Sequence, residues 1–462
     1  MRVSGGGDGV PPAAVTRRGL LLLGLGALVV RLAYAVAALR GYVPQADAHH
    51  YDGLAVAVAE GRGLVHGFPA GGEHPTAFRP PLWPLLLGAA YAVGGADPAV
   101  ARVLTAGLGA VAVVGLAVLA GRLAGPVAAR VAGAVGALHP ALVVADAPPL
   151  SEPLGAVLLL GVLLALSTER VALAGLLSGG LLLTRPSAQA VLLVLAAALL
   201  LRRGWRQASV YAAVVVLVAA PWLVRNQVQL GAPVITTSQG FNLAATYSLP
   251  ALDDGGFVDP VHDPRFAPLR AQVRAALPAG APPAHFEAAQ DAAFREAGLA
   301  GLREHPAAPV RVVADNVARL LAVPGDQAAV AADRLDGRPA AVRAVAHGVG
   351  VTVLALGAGG LVVLLRRRVD GALPLVLAVV ASGGASLLLV AAPRLRHPVD
   401  LLCCIGVGVA VAALLPRVAP GLAARLAGTG PAAAGPYPPP PAGPRHDPEV
   451  PAGAPARRAA GS

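Results

Sequence analysis

Lysine is absent from this chain of 462 residues, so all 36 of its basic residues are arginines. Charged residues of both signs are scarce as well: they make up 13% of the chain, whereas a soluble domain carries about 25%. The hydrophobic fraction is 56% and the mean hydropathy is +0.67. This composition excludes an ordinary soluble globular protein and indicates an integral membrane protein.

Cysteine is almost absent too, since the chain has only Cys403 and Cys404, which are adjacent within an apolar segment. Such a pair provides neither a disulfide framework nor a zinc site. The net charge of +11 would suggest nucleic-acid binding in a soluble chain. Here the arginines lie between apolar runs, so we expect them to set membrane topology and expect no nucleic-acid partner.

The apolar runs predict an all-α polytopic membrane protein with about ten transmembrane helices. Arg17 and Arg18 precede the first run and are expected in the cytoplasm, which places the loop 40–81 outside. Arg31 lies within the first run, and we expect its side chain to snorkel outward. The predicted spans are 19–39, 98–121, 127–146, 153–168, 171–184, 187–201, 208–224, 344–365, 372–391 and 399–415.

The segment 82–94 is apolar but reaches only about 20 Å as a helix, short of the roughly 30 Å hydrocarbon core. We therefore expect it to lie at the outer surface or to dip into the membrane and return. The region 227–342 differs in composition, with many acids, Pro-rich stretches and two amphipathic patterns, His285–Glu304 and Val310–Val323. It predicts a small extracytoplasmic domain.

The remaining boundaries follow from these features. Residues 1–16 and 417–462 are expected to be disordered in the cytoplasm, because they are rich in Gly, Pro or Ala. Residues 17–226 form a predicted N-terminal transmembrane catalytic module, and 343–416 form the C-terminal transmembrane helices.

Polar side chains gather at the predicted outer ends of the spans. None of the 25 acids is predicted at the middle of a span, where an ion-coupled transporter would place them. Arginine binds phosphate in a bidentate manner and stays charged, and a nearby carboxylate can act as general base on a hydroxyl. The candidate residues are Asp47, Tyr51, Arg79, Glu152, Arg185, Arg225, Asn226, Arg394 and Arg396.

Several short motifs follow one another along the chain. They are Asp47-x-x-x-Tyr51 followed by AEGRG (59–63), FRPPLWPLLL (78–87), HPALVVADAPPLSEPL (139–154), LLLTRPS (181–187), APWLVRNQVQLGAPVITTSQGFNL (220–243) and PRLRHPVDLL (393–402). The ordered set, over about residues 17–415, resembles the GT-C superfamily of polytopic glycosyltransferases. The likeness is greatest to its family 39-like branch, which includes protein O-mannosyltransferases and aminoarabinose transferases.

The resemblance implies a GT-C-like helical bundle that takes a polyprenyl-phosphate-linked sugar as donor. The acceptor would be an extracytoplasmic protein, lipid or glycan. Asp47 matches the catalytic base of the first outer loop, and Glu152 matches the second acidic position, which helps bind a metal or the acceptor. Arg79 matches a basic position that contacts phosphate. Relatives differ on the metal, so a divalent ion stays open, with Asp47 and Glu152 as its ligands if it is present.

Each assignment has a structural alternative. Asp47 could cap the helix that begins near His49, and Glu152 could interact favourably with the dipole of the helix that starts beside it. The arginines could be interfacial anchors. Tyr51 and Trp83 could be belt aromatics at the membrane interface. The histidines at 49, 50, 66 and 74 match no compact zinc motif.

Two other functions stay open from the sequence. One is a non-enzymatic lipid or glycan flippase or exporter, and the other is a scaffold whose outer domain binds a partner. The glycosyltransferase hypothesis makes a geometric prediction: Asp47, Glu152 and several arginines should converge in one site.

Overall fold

The computed structural model describes residues 16–428 except 322, 324, 325 and 390. The predicted disordered ends therefore lie almost wholly outside the described residues. Within them the chain is helical apart from one pair of two-residue antiparallel strands, β1 (Val65–His66) and β2 (His74–Pro75), so the all-α prediction is confirmed.

The first half of the chain contains nine helices among the described residues. They are α1 (Arg17–Ala38), α2 (Ala46–Ala59), α3 (Leu82–Gly94), α4 (Pro98–Leu138), α5 (Pro140–Ala145), α6 (Glu152–Ser167), α7 (Val171–Leu182), α8 (Ala188–Arg203) and α9 (Trp205–Leu230).

The rest of the described chain adds ten helices. They are α10 (Ser238–Tyr247), α11 (Leu249–Asp254), α12 (Ala267–Ala276), α13 (Pro283–Glu304), α14 (Ala308–Leu320), α15 (Gln327–Leu335), α16 (Ala340–Arg366), α17 (Ala372–Leu388), α18 (His397–Val418) and α19 (Pro420–Ala427).

Five segments are long and apolar enough to cross a membrane: α1, α4, α9, α16 and Pro393–Val418, which includes α18. Shorter apolar helices are α3, α6, α7 and α17. The chain is therefore a membrane protein, and the count of ten spans stays a prediction. The helix α3 has the bounds expected for the short segment 82–94.

The helix α4 bends back on itself near its middle. Gly125 has a φ of +83° and precedes Pro126, which interrupts the helical hydrogen bonding. Beyond the bend, a Cβ added at Gly121 would lie 3.2 Å from the Cβ of Ala129, so the two halves pack against each other. This is the predicted hairpin of spans 98–121 and 127–146, except that the second half ends at Leu138 because Pro140 starts α5.

The helices α2 and α3 are in close contact and carry the first part of the site. A Cβ at Gly88 would lie 2.6 Å from Cγ1 of Val58 and 2.9 Å from the carbonyl oxygen of Ala55, so only glycine permits this approach. Trp83 is fully buried, and its Nε1 donates to the carbonyl oxygen of Pro149 at 3.2 Å. Trp83 is therefore not a belt aromatic, and it ties α3 to the segment before α6.

Arg31 does not snorkel outward. Its side chain is 2% exposed, and its Nε donates to Oδ2 of Asp146 at 2.7 Å. Its Nη1 donates to the carbonyl oxygen of Ala27, one helical turn back along α1. His397 Nε2 lies 3.4 Å from the other oxygen of Asp146. A buried guanidinium needs such partners to offset its loss of hydration.

The region 227–342 contains α10 to α15. The two predicted amphipathic helices correspond to α13 and α14, which begin two residues earlier than expected. Phe266 and Phe294 are buried between α10, α12 and α13 and pack edge to face at 5.7 Å. This gives the region a small apolar cluster of its own, and the domain boundaries themselves stay a prediction.

Candidate active site

Asp47 lies in the first turn of α2, and its carboxylate is bound by two arginines. The helix is preceded by Gln45 at the N-cap position, and Ala46 has a left-handed φ of +45°. Asp47 therefore does not cap the helix. Its oxygens instead accept hydrogen bonds from Arg79 and Arg394, and its side chain is 29% exposed.

Arg394 lies at the centre of the site, because its guanidinium contacts three carboxylates. It pairs with Asp47, its Nη1 lies 3.0 Å from Oε1 of Glu152, and its Nε lies 3.1 Å from Oδ2 of Asp336. The three acids come from three separate parts of the chain. A guanidinium has five N–H donors in a planar fork, so one arginine can hold all three.

Glu152 is the first residue of α6 and is 1% exposed. Its Oε1 also lies 3.1 Å from Nη1 of Arg185, which follows α7. Its Oε2 is buried without a hydrogen-bond partner among the described residues. A buried carboxylate oxygen without a partner is costly, and it is available to a substrate group placed against it.

Arg79 holds the other side of Asp47. It lies 3.1 Å from Nδ1 of His50, and its guanidinium carbon is 5.5 Å from the ring centre of Tyr51. The hydroxyl of Tyr51 donates to Oγ of Ser151 at 3.4 Å, and the same oxygen lies 3.4 Å from Nη1 of Arg185. Tyr51 is buried, so it is not a belt aromatic.

The electrostatics of the site differ from one group to the next. Burial acts to raise the pKa of Asp47, but the guanidiniums of Arg79 and Arg394 outweigh it, and the pKa falls well below its usual range. Burial raises the pKa of Asp336 to about 7. The positive charge of Arg394 acts to lower this pKa, but the negative charges of Glu152 and Asp47 oppose that effect. Burial and the charge of Arg79 lower the pKa of His50 to about 3, which keeps its ring neutral.

The structure brings together six of the nine candidate residues: Asp47, Tyr51, Arg79, Glu152, Arg185 and Arg394. These contacts bring the carboxylates of Asp47 and Glu152 close to the guanidiniums of Arg79, Arg185 and Arg394.

The other three candidates lie elsewhere. Arg225 donates to the carbonyl oxygens of Thr76 and Leu64, and it thereby holds the β1–β2 segment against α9. Asn226 donates to the carbonyl oxygen of Val234 at 2.7 Å. Arg396 pairs with Asp400 at 2.9 Å and donates to the carbonyl oxygen of Leu320. These polar groups hold the fold together at positions apart from Arg394 and its three carboxylates.

Sequence reasoning missed Asp336 and the aromatic wall of the site. Four of the seven phenylalanines, at 68, 78, 241 and 257, form one continuous array. The array begins at His50, which stacks on Phe68 with ring centres 4.5 Å apart. The sequence offered one signal for this cluster: its few phenylalanines all lie outside the predicted spans.

A divalent ion does not fit the two predicted ligands as they stand. The guanidinium of Arg394 binds Asp47 through Nη2 and Glu152 through Nη1, so both carboxylates are already paired with the same cation. Among the described residues, no group of three or more His, Cys, Asp or Glu side chains is arranged to hold a metal.

No family model matches the chain, and no curated protein matches it. Among solved structures it is similar to the oligosaccharyltransferase of Archaeoglobus fulgidus, crystallised with Zn and sulfate: identity is 14%, the TM-score is 0.49, and the alignment covers 88% of this chain and 50% of that one. This chain thus spans about half the length of the oligosaccharyltransferase.

A second neighbour is ArnT from Cupriavidus metallidurans, crystallised with undecaprenyl phosphate. Its identity to this chain is 19% and the TM-score is 0.41, with 88% of this chain and 80% of that one covered.

Proposed function

We propose that this chain is a membrane glycosyltransferase. It transfers a sugar from a polyprenyl-phosphate-linked donor to a hydroxyl of an extracytoplasmic protein, lipid or glycan. The site would face the outside of the cell membrane, as the arginine distribution predicts. The observation that supports this most strongly is the contact of one guanidinium, that of Arg394, with Asp47, Glu152 and Asp336 between two further arginines.

The three arginines suit the donor phosphate. Arg79, Arg185 and Arg394 are all half-buried or buried, where charge-assisted hydrogen bonds to phosphate are stronger than in water. In the proposed reaction, the bond between the sugar's C1 and the phosphate oxygen breaks, and its electron pair leaves with polyprenyl phosphate. The guanidiniums stabilise the negative charge that grows on that oxygen.

Asp47 takes the proton of the acceptor hydroxyl as its oxygen bonds to C1 from the opposite face, which inverts the configuration. The low pKa of Asp47 keeps the carboxylate ionised, which a base requires, but also makes it a weak base. A donor phosphate that binds Arg79 and Arg394 partly neutralises the positive charges that act on Asp47. The pull on the carboxylate then weakens, and its pKa rises toward the ordinary value for aspartate when the donor is bound.

Glu152 has a different role in this scheme. Its Oε1 orients Arg185 and Arg394, while its buried Oε2 can accept a hydrogen bond from a hydroxyl of the sugar or the acceptor. Tyr51 supports Arg79 through its ring face. The side chains of this chain thus bind the phosphate, hold the base and receive the proton.

Asp47→Asn tests the proposal. Release of polyprenyl phosphate from a labelled polyprenyl-phospho-sugar, measured in vesicles that contain the full chain, should fall by roughly a hundredfold or more. Asp52→Asn is the matched control, since Asp52 lies on the same helix but accepts a hydrogen bond from Tyr91 instead. Near-normal release by the Asp47→Asn protein would remove Asp47 from the mechanism.

The flippase or exporter is the second candidate, and one observation favours it. Arg31, Asp146 and His397 form a charged cluster within the bundle, and intramembrane ionisable groups often line transport paths. The same vesicles distinguish the two functions. Movement of labelled lipid to the opposite leaflet without release of polyprenyl phosphate would establish transport instead of transfer.

A further inference from the structure

A cavity of about 430 Å³ lies between the turn that begins at Pro69 and the 227–342 region, and neither Arg394 nor its carboxylates line it. Its volume is within the range of small-molecule sites, which is ~300–1,000 Å³. Four parts of the chain line it: the turn that begins at Pro69, the loop at Val261, the helix α12, and the first half of α13. Its polar groups are those of Arg270, Arg274 and Gln290, and no acidic residue is among the described residues that line it.

Gln290 is the most unusual of these groups. It is 1% exposed, and neither its amide nitrogen nor its amide oxygen has a hydrogen-bond partner among the described residues. A buried amide without partners costs on the order of 1–3 kcal/mol. The amide atoms are enclosed at the wall of the cavity. Because an amide can both donate and accept, it matches a ligand hydroxyl that reaches it, which does the same.

The two arginines supply positive charge at the wall of the cavity. The guanidinium carbon of Arg274 lies 4.2 Å from the ring centre of Phe286, which holds the planar group in place. Within the described residues it forms no ion pair. Arg270 uses Nη1 for the carbonyl oxygens of Pro260 and Asp263 and keeps its positive charge beside the cavity.

The remaining wall is apolar and includes Pro69, Val261 and Phe286. Aromatic and apolar faces pack against the C–H faces of a sugar ring, while its hydroxyls need hydrogen-bonding groups. Two guanidiniums match a carboxylate or phosphate on that ring. From the cavity, its apolar wall, its unpartnered amide and its arginines, we propose that this is a binding site for an anionic sugar, one that carries a carboxylate or a phosphate.

The position of the cavity relates it to the transfer site. Pro69 and Gln290 also border a narrow gap lined by Phe78, and Phe78 directly precedes Arg79. We assign an anionic sugar in the cavity to the acceptor, because the gap beside the cavity is lined by the residue that precedes Arg79. This role rests on the proposed function, whereas the binding of an anionic sugar does not.

Isothermal titration calorimetry on the purified full chain in detergent tests the binding. The probes are glucuronate and glucose 6-phosphate, with glucose as the neutral control and inorganic phosphate as the anion without a ring. We expect both anionic sugars to bind roughly tenfold more tightly than either control, because charge and ring are both recognised.

Two variants assign that binding to the cavity. Arg274→Gln should weaken both anionic sugars by roughly tenfold, and Arg303→Gln, a control on the exposed part of α13, should not. Gln290→Met removes an unpartnered amide and should leave the melting temperature unchanged or higher while weakening sugar binding.

Three results would overturn the proposal: glucose binding as tightly as the anionic sugars, inorganic phosphate binding as tightly as glucose 6-phosphate, or equal affinities for the Arg274→Gln and Arg303→Gln proteins. Binding by the Asp47→Asn protein should equal that of the unmodified chain. Sugar binding at the cavity and sugar transfer are thus measured separately, so either proposal can fail without the other.

Discussion

The carboxylate of Asp336 lies 3.1 Å from Nε of Arg394, so a segment of the 227–342 region reaches into the site that Arg394 forms with Asp47 and Glu152. Burial raises the pKa of this carboxyl to about 7, and Asp336 therefore changes its charge near physiological pH. Below that pH the group is neutral. Above it, the carboxylate competes with any other anion for Arg394.

Donor binding should consequently depend on pH through Asp336. The donor phosphodiester is anionic throughout this range, so its KM should rise by roughly tenfold from about pH 6 to about pH 8, as the carboxylate gains its charge. Asp336→Asn should flatten that profile, since the amide stays neutral. A pH dependence of KM that is identical in the two proteins would exclude Asp336 as its origin.

Arg394 and Arg396 are two residues apart but should respond differently to the same substitution. Arg394→Lys keeps the charge but not the fork that contacts three carboxylates, so transfer should fall by roughly a hundredfold. Arg396→Lys alters a buried pair with Asp400 and should mainly lower the melting temperature. Measuring the rate of donor cleavage and thermal unfolding on both proteins gives the comparison, and equal losses of rate would contradict it.

The pair of Arg31 and Asp146 should be critical for stability. Arg31→Leu leaves a buried carboxylate without its partner and should cost about 3–5 kcal/mol, seen as a large fall in the melting temperature in detergent. The double change Arg31→Leu with Asp146→Leu should cost less, because no charge stays buried alone. Arg62→Leu, in an exposed pair with Glu60, is the control and should cost below about 1 kcal/mol. Equal effects at the two sites would argue against the buried pair.

The helices were predictable because the length of an apolar run is a local property. The runs 153–168, 171–184 and 372–391 appear as α6, α7 and α17 with ends within about three residues. The hairpin within α4 was predictable from the arginines and the Gly125-Pro126 pair between its two apolar halves. The break at His139 was missed, since Pro140 lies inside an otherwise continuous apolar stretch.

The pairings of charged residues were only partly predictable. Asp47 and Glu152 belong to ordered motifs, whereas Asp336 belongs to none. Nothing local distinguishes it from Asp333, which pairs with Arg338 and Arg343 instead of Arg394. The prediction for Arg31 was wrong for a related reason, since its partner Asp146 lies 115 residues away along the chain. An arginine within a span is expected to snorkel only when no such partner is in contact with it.

The distance along the chain between Asp47 and Arg394, 347 residues, has a consequence for biosynthesis. The ribosome completes most of the protein before the arginine that contacts both Asp47 and Glu152 has been made. Until Pro393–Val418, the last candidate membrane segment among the described residues, is inserted, a growing chain cannot hold a donor in the proposed manner. Catalytic competence would thus appear late and all at once, and no shortened precursor that ends before this segment would cleave a donor prematurely.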